Sequence, residues 1–592
     1  MAVGQEDREN LLGGAQCLEL EPTLAAHNVG DTAMLADGDD DLDLPQPSRT
    51  SPGSSRDAPA IVYVAATTAA LGGLLFGYDI GVISGAKGPM RRELDLTCSQ
   101  LEAVVAFLPL GACLASLVGG NAIDHYGRKF TIIFNAFLFT AGSLTVTLSS
   151  HLGVILFGRF MLGFAVSLSA IAECIYISEI VRPEKRGMFV SLNELTITVG
   201  ILMAYLVNYM FAATPHGWRL MFLLSAFVAV AQGILMFFMP KTPHFLMLCQ
   251  REKRAEAAIR RLELSHNVRQ TMTDIRLGIQ EASSNSFYSV LCQNKDNMAS
   301  RLLIGFGLVF FQQFTGQPNI IYYANDVFYQ VGFCDEWSST LASVGLGLMK
   351  VVSTIVSLTL VDRIGRRKAL MGGISMMMIS VLGLSIHGFY TDSQSSIHIE
   401  TCSDYGRNAT NQAHLFLPRN ESAQEFSVQF EDSVRFANQA CRHSVDDSVF
   451  FRYAAFGALV LFVCAYSFSF GPITWVLLSE IFPPAVKGRA MAFATSLNWL
   501  GNFVVSGTFL QAVQILSLGG VYFVYFILCG CSIAFVYFLV PETKNRTLEE
   551  ISKELRLKNA EKLFKERLSS CQRRPRRQTS RSDEYSPVHF SI

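Results

Sequence analysis

The sequence predicts an all-α membrane protein of twelve transmembrane helices arranged as two six-helix bundles. Three observations carry that reading. Half of the residues are hydrophobic, only 16% are charged and the mean hydropathy is positive, unlike an ordinary soluble domain. Apolar runs long enough to cross a bilayer recur about twelve times. Two motifs are also written twice. Asp124-His-Tyr-Gly-Arg-Lys129 returns as Asp362-Arg-Ile-Gly-Arg-Arg367, and Ser178-Glu179-Ile180-x-x-Pro183-x-x-Arg186-Gly187 returns as Ser479-Glu480-Ile481-x-x-Pro484-x-x-Lys487-Gly488. Two related halves in a membrane point to a carrier that opens to one side at a time, around a site near the midplane.

Taken in order, residues 1–58 are polar and acidic, which predicts a disordered cytosolic tail and no cleavable leader. Within it, Asp7-Arg-Glu-Asn-Leu11-Leu12 has the form of a signal read by sorting adaptors. The N-terminal bundle, 59–240, holds apolar spans at 60–85, 101–121, 129–149, 152–176, 188–210 and 219–239. Residues 241–300 join the halves, and the charged amphipathic stretch Arg251 to Glu263 predicts a small helical platform on the cytosolic face. The C-terminal bundle, 301–541, holds spans at 302–332, 339–361, 369–390, 452–478, 489–514 and 519–540. The remaining residues, 542–592, form a cytosolic tail with a basic run at Arg573 to Arg577.

Positive charges orient the molecule. Arg128 and Lys129, Arg182 to Arg186, Arg251 to Arg261, Arg363 to Lys368, Lys487 and Arg489, and Lys544 all fall on one side, which puts both termini in the cytosol. The two copies of the first motif are 238 residues apart and those of the second 301, so the second half carries about 63 extra residues between its motifs. The polar stretch 391–450 accounts for them. It faces the exterior and carries glycan acceptors at Asn408 and Asn420. Of thirteen cysteines, the exterior ones are Cys98, Cys334, Cys402 and Cys441, with Cys402–Cys441 the expected bridge.

Charges inside the hydrocarbon are costly and mark functional candidates. Asp79 lies about 19 residues into the first span and Arg159 about seven into the fourth, so both sit in the outer half, at matching depth. Their counterparts in the second half are Gln317 and Val460, so the pair is no part of the shared scaffold. A carboxylate that meets and leaves a guanidinium could bind and release a proton, and a static ion pair is the plain alternative. Lys350 lies roughly 18 Å from the inner end of its span and Glu194 about 10 Å, which allows a charge pair across the halves. Snorkelling of the lysine is the alternative.

Helix-breaking residues supply neutral polar sites. Gln312-Gln313-Phe-Thr-Gly-Gln317-Pro318-Asn319 sets amides around a Gly and a Pro, with the helix expected to open at Pro318. Gly471-Pro472-Ile-Thr-Trp475 repeats the device with an aromatic face, and Asn498, Trp499 and Asn502 follow. Amides and indoles suit a ligand with apolar ring faces and a hydroxyl rim. Core packing explains either tryptophan, but not a cluster of amides in apolar helices.

These residues closely resemble the sugar porter family of the major facilitator superfamily, over about 60–550. The resemblance rests on the Gly-Arg-[Lys/Arg] loops, Gly158-Arg159-Phe160, Gln312-Gln313-x-Thr-Gly316, Trp475, Asn498-Trp499 and Pro541-Glu-Thr-Lys544. The short first exterior loop and the long ninth-to-tenth loop resemble the third class of facilitative glucose transporters. The family likeness implies sugar contacts at Gln312, Gln313, Asn498, Trp499 and Trp475, joined in this reading by Asn319 and Asn502. It implies an inner-gate charge network of Arg128, Arg366, Glu179 and Glu480. Asp79 matches the carboxylate of proton-coupled relatives, and Arg159 its partner. The chain departs from the family at Pro318, at Lys350 and Glu194, where neutral amides are usual, and at Pro240-Lys-Thr-Pro-His244.

The implied function is transport of glucose or a related hexose, with proton coupling as a second expectation. Polyol or urate-like transport on the same fold is the runner-up, and a non-transporting membrane sugar sensor is the rival of a different class. The expected partners are a sugar, protons, the bilayer and sorting adaptors at Leu11 and Leu12, with no nucleic acid and no cofactor. Outside the lipid no nucleophile–base or metal-ligand spacing argues for an enzyme. The expected residence is the plasma membrane and endomembrane compartments.

Overall fold

Each copy of the Gly-Arg motif turns the chain at its glycine: Gly127 lies at φ 88° and Gly365 at φ 99°, where a side chain would be strained. The duplication read from sequence is therefore also a duplication of backbone geometry. A computed structural model describes residues 59–212, 214–265, 267–284, 297–333, 335–394, 449–482 and 487–544, with Arg546, Glu550, Ile551 and Lys553. Residues 1–58 with Leu11 and Leu12, the rest of the C-terminal tail, Cys334, Cys402, Cys441, Asn408 and Asn420 lie outside the described residues. Cys98 is disulfide-bonded, to a partner also outside them.

The first half contains α1 (Ala60–Leu94), α2 (Cys98–Tyr126), α3 (Arg128–Leu148), α4 (Leu152–Ile180), α5 (Pro183–Phe211) and α6 (Gly217–Phe237). The linker forms α7 (Pro243–Leu248), α8 (Glu252–Arg261) and α9 (Val268–Ser284). The second half contains α10 (Met298–Phe314), α11 (Gln317–Tyr322), α12 (Ala324–Gln330), α13 (Glu336–Ile364), α14 (Arg366–Gln394), α15 (Val449–Phe468), α16 (Phe470–Ile481), α17 (Lys487–Gly507) and α18 (Phe509–Leu539). Ten helical stretches among the described residues are long and apolar enough to cross a bilayer, α15 and α16 together making one. The other two expected crossings are the seventh, divided among α10 to α12, and the eleventh, in α17 and the start of α18.

Local chemistry explains the ends and the breaks. Thr97 and Gln100 exchange hydrogen bonds as a capping box that starts α2. The seventh crossing opens at Gly316 (φ 95°), two residues before the expected Pro318, because a proline in the first turn of α11 surrenders no needed N–H. The tenth breaks at Ser469 rather than at Pro472. The expected span 489–514 is interrupted after Gly507, and the turn into the last crossing comes at Ser517 (φ 64°) inside α18.

Glycines Gly73, Gly77, Gly81 and Gly85 recur every fourth residue along the α1 face that packs on α5. A Cβ added at Gly77 would stand 1.8 Å from the Ile197 carbonyl oxygen, and one at Gly85 2.5 Å from Asn208 Cγ. Small residues at this spacing let two membrane helices touch backbone to backbone. Across the bundles, α2 packs on α17, α5 on α13, and α1 on α11 and α12.

The described part of the linker is helical and has a small core of its own. Leu246, Met247 and Ala255 form its core with Met272, Ile275 and Ile279, and Arg182 ties it to the first bundle through the Glu263 carbonyl at 2.7 Å.

Candidate functional site

A cavity between the bundles is lined by Glu194 of α5, Lys350, Thr354, Ser357 and Leu358 of α13, and Tyr466, Ser467, Gly471 and Pro472 around the α15–α16 break. Glu194 and Lys350 thus face one space. They are not joined by an ion pair within 4.0 Å. The Lys350 ammonium lies 5.5 Å from the centre of the Tyr466 ring, whose face attracts a cation. Ser357 Oγ and Ser467 Oγ have no protein partner, so this wall offers unpaired hydroxyls, a carboxylate and an ammonium to an occupant.

The amide cluster resolves into one chain and two separate contacts. Gln313 donates to Asn498 Oδ1 at 2.6 Å and accepts from Asn502 Nδ2 at 3.2 Å. Gln312 instead donates to Tyr466 Oη at 3.2 Å and to the Phe470 carbonyl at 3.1 Å, leaving its own oxygen unpaired. Its bond to Tyr466 connects the cavity to α10. Asn319 donates to Tyr525 Oη at 2.6 Å, away from the other four. All five amides are buried.

The two tryptophans part company. Trp499 is buried and reaches across the bundles, its ring 5.8 Å from that of Phe76 on α1. Trp475, expected at the cavity, packs instead on the cluster of Met298, Val309, Leu478 and Phe482. The α15–α16 break falls at Ser469, before Trp475, and sets the rotation of α16 that turns the indole into that packing.

Asp79 and Arg159 are brought together but do not form the expected side-chain ion pair. The guanidinium donates to the Val104 carbonyl at 3.1 Å and to the backbone carbonyl of Asp79 at 3.4 Å. Two of the guanidinium nitrogens, Nε and Nη1, are taken by main-chain oxygens, while Nη2 and both carboxylate oxygens of Asp79 have no hydrogen-bond partner among the described residues. Both side chains are fully buried.

The inner charge network forms within each bundle. Arg128 meets Glu179 at 3.0 Å and Asp124 at 3.1 Å, and Arg366 meets Glu480 at 3.5 Å. His244, where the chain departs from the family pattern, joins the first group: its Nδ1 lies 3.6 Å from Glu179 and 3.4 Å from the Arg128 guanidinium. Burial holds this imidazole below its ordinary pKa.

Several polar residues escaped sequence reasoning. Lys87 of α1 is buried and pairs with Asp326 of α12 across the bundles. Glu102 of α2 accepts the Gln511 backbone N–H at 3.0 Å, and Tyr205 of α5 donates to the Ile321 carbonyl at 2.9 Å. These contacts draw the exterior ends of the bundles together. Glu173, fully buried in α4, accepts from Ser169 at 2.5 Å and Gln232 at 3.2 Å. It was legible by the rule that singled out Asp79, since it sits within a predicted apolar span.

The comparisons with known proteins agree with this architecture. The family model "Sugar (and other) transporter" matches residues 65–402 and 438–555. The chain is 38% identical over 526 residues to solute carrier family 2, facilitated glucose transporter member 12, of Mus musculus, covering 83% of this chain and 84% of the relative. It is 37% identical over 525 residues to member 10 of Xenopus laevis, covering 84% and 94%. Among solved structures it is similar to the proton:xylose symporter XylE bound to 6-bromo-6-deoxy-D-glucose, with TM-score 0.63 and 25% identity over 84% of this chain and 99% of that one. The inward-open conformation of XylE from E. coli shares the fold, with TM-score 0.64 and 24% identity over 83% and 99%. From the repeated motifs, the two bundles and these matches alike, the chain belongs to the sugar transporter family, alongside the facilitated glucose transporters.

Proposed function

We propose that this chain carries a hexose across a membrane by alternating access, its two bundles rocking about the cavity lined by Glu194, Lys350 and Tyr466. The observation that carries the reading is the placement of that cavity: Glu194 of the first bundle faces a wall built by the second, and cross-bundle contacts join the two bundles at their exterior ends. Separating the bundles outside while approximating them inside would move the same walls from one compartment to the other. In this cycle Gln313, Asn498 and Asn502 present both donors and acceptors to sugar hydroxyls, Gln312 ties that wall to Tyr466, and Trp499 offers an apolar face. Asn319 and Trp475 support the broken helices. Arg128, Glu179, Arg366 and Glu480 form the inner gate, and each group stays intact within its own bundle here. Counterflow of labelled glucose in proteoliposomes, with hexoses, pentoses and polyols as competitors, tests the proposal. Wild-type protein that exchanges no monosaccharide would refute it.

Proton coupling is the second part of the proposal. A buried carboxylate with no donor, beside a guanidinium whose Nε and Nη1 are turned to main-chain oxygens, is a group for which a proton is the simplest stabilising partner. Asp79→Asn should abolish any pH dependence of accumulation while leaving exchange intact. An unchanged accumulation ratio and pH profile would remove Asp79 from the coupling role. Residence in the plasma membrane or endomembranes, sorted through Leu11 and Leu12, is tested by relocation of a Leu11→Ala/Leu12→Ala variant.

A further inference from the structure

We propose that Lys87 is the cation that clasps the exterior gate shut, and that its ion pair with Asp326 sets the balance between outward- and inward-facing states. This rests on the alternating-access reading. Lys87 lies 27 residues into α1, about 40 Å along the helix from its cytosolic end, and its side chain is 1% exposed. Among the described residues, its partners all come from the opposite bundle. The ammonium donates to the Tyr322 carbonyl at 2.9 Å, sits 4.0 Å from the centre of the Tyr323 ring and pairs with the Asp326 carboxylate. Tyr322 closes α11, Tyr323 is the joint between α11 and α12, and Asp326 is in the first turn of α12.

The clasp therefore grips the divided part of the seventh crossing, the segment whose backbone is already broken at Gly316 and again at Tyr323. One turn earlier on α1, Ser84 Oγ accepts the Asn325 backbone N–H at 3.1 Å. Glu93, near the outer end of α1, is held in its own bundle by Trp218 Nε1 at 2.6 Å and Arg219 at 2.9 Å.

Opening the exterior must draw α1 away from α11 and α12. Lys87 then loses a carbonyl, a ring face and a carboxylate in one movement. A buried charge deprived of its partners is costly, so the pair favours the closed exterior. Asp326 is 38% exposed and regains water on opening, whereas Lys87 must be carried into the vestibule. The clasp is a conformational bias and makes no contact with the cavity-lining residues.

Native Cys113 reports the state. It is buried, and its Sγ lies 3.3 Å from Ser496 Oγ of α17 across the bundle interface. In sealed right-side-out proteoliposomes without sugar, an impermeant maleimide reaches Cys113 from outside only through an open exterior, and peptide mass mapping separates it from other cysteines. Lys87→Met and Asp326→Asn should each raise its labelling rate about tenfold. The double variant should rise no further than either single, and Lys87→Arg should stay close to wild type. Because Asp326 is half-exposed, Asp326→Asn keeps the test decisive should Lys87→Met fail to fold.

Unchanged labelling in Asp326→Asn, or single effects that multiply in the double variant, would overturn the clasp. Labelling requires no substrate, so the two readings fail separately. Hexose exchange with unmoved labelling rejects the clasp alone, and altered labelling in a protein that exchanges no monosaccharide rejects hexose transport alone.

Discussion

Replacing Gln313 with Leu tests whether the amide chain is a binding surface or a packing device. The substitution keeps the approximate volume and removes two hydrogen bonds, the 2.6 Å contact to Asn498 and the 3.2 Å contact from Asn502. Hydrogen bonds between membrane helices contribute about 0.6 kcal/mol each on average, up to about 1.7. The stability loss should therefore be roughly 1–3 kcal/mol, visible as a lower unfolding temperature. If sugar hydroxyls also bond to this amide, the bound state loses about 1.4 kcal/mol more than the empty one, which is a tenfold weaker half-saturation. The assay is zero-trans uptake into proteoliposomes across a concentration series, beside thermal unfolding with and without glucose. Gln313→Asn, which keeps both functional groups, should recover part of the affinity. A lower unfolding temperature with unchanged half-saturation and undiminished stabilisation by glucose would refute the binding role, leaving Gln313 a structural residue.

The same geometry makes three other outcomes testable. Gly77→Ala places a methyl group 1.8 Å from the Ile197 carbonyl oxygen and should cost about 1–3 kcal/mol or block assembly, read as lost monodisperse protein on size exclusion. Lys350→Glu should lower uptake at least tenfold by facing Glu194 with a second acid. Glu194→Lys should restore much of it, and a double-mutant cycle without coupling would show that the two do not sense each other. Burial lowers the His244 pKa, so between that value and about 6.5 the unfolded chain holds a proton that the fold does not. Stability should then rise with pH across that window and fall on acidification, and His244→Gln should flatten the slope in unfolding scans at graded pH.

Much of the architecture was readable in the residues because lipid leaves few solutions: apolar runs of fixed length, backbone bonds made within each helix, and positive charge on one side. The repeated glycines did more than count halves, since Gly127 and Gly365 prove to be the two left-handed turns the motif requires. The site was partly readable. Residue counting allowed Glu194 and Lys350 to meet across the halves, and the cavity contains both. Counting could not say which way a side chain points once a helix has been interrupted. Ser469 and Gly316 reset the rotation of the helical segments beyond them, so Trp475 turned into packing and Asn319 toward Tyr525. Lys87 and Glu102 were passed over because each lies near a span end, where a long side chain can reach water. Only the opposing bundle shows that each is covered. The fourfold spacing of Gly73, Gly77, Gly81 and Gly85 is plain in the sequence, but its meaning depends on the helix it touches.

That glycine-lined seam has a mechanical corollary. Main chain rests on main chain at Gly77, and the Asn193, Thr196 and Asn208 side chains of α5 seat against Gly73 and Gly85, so α1 and α5 are closely enough joined to travel as a single lever. Lys87 rides one arm and Glu194 the other, so a tug at the outer rim is felt at the carboxylate deep in the protein with nothing needing to be relayed along the way.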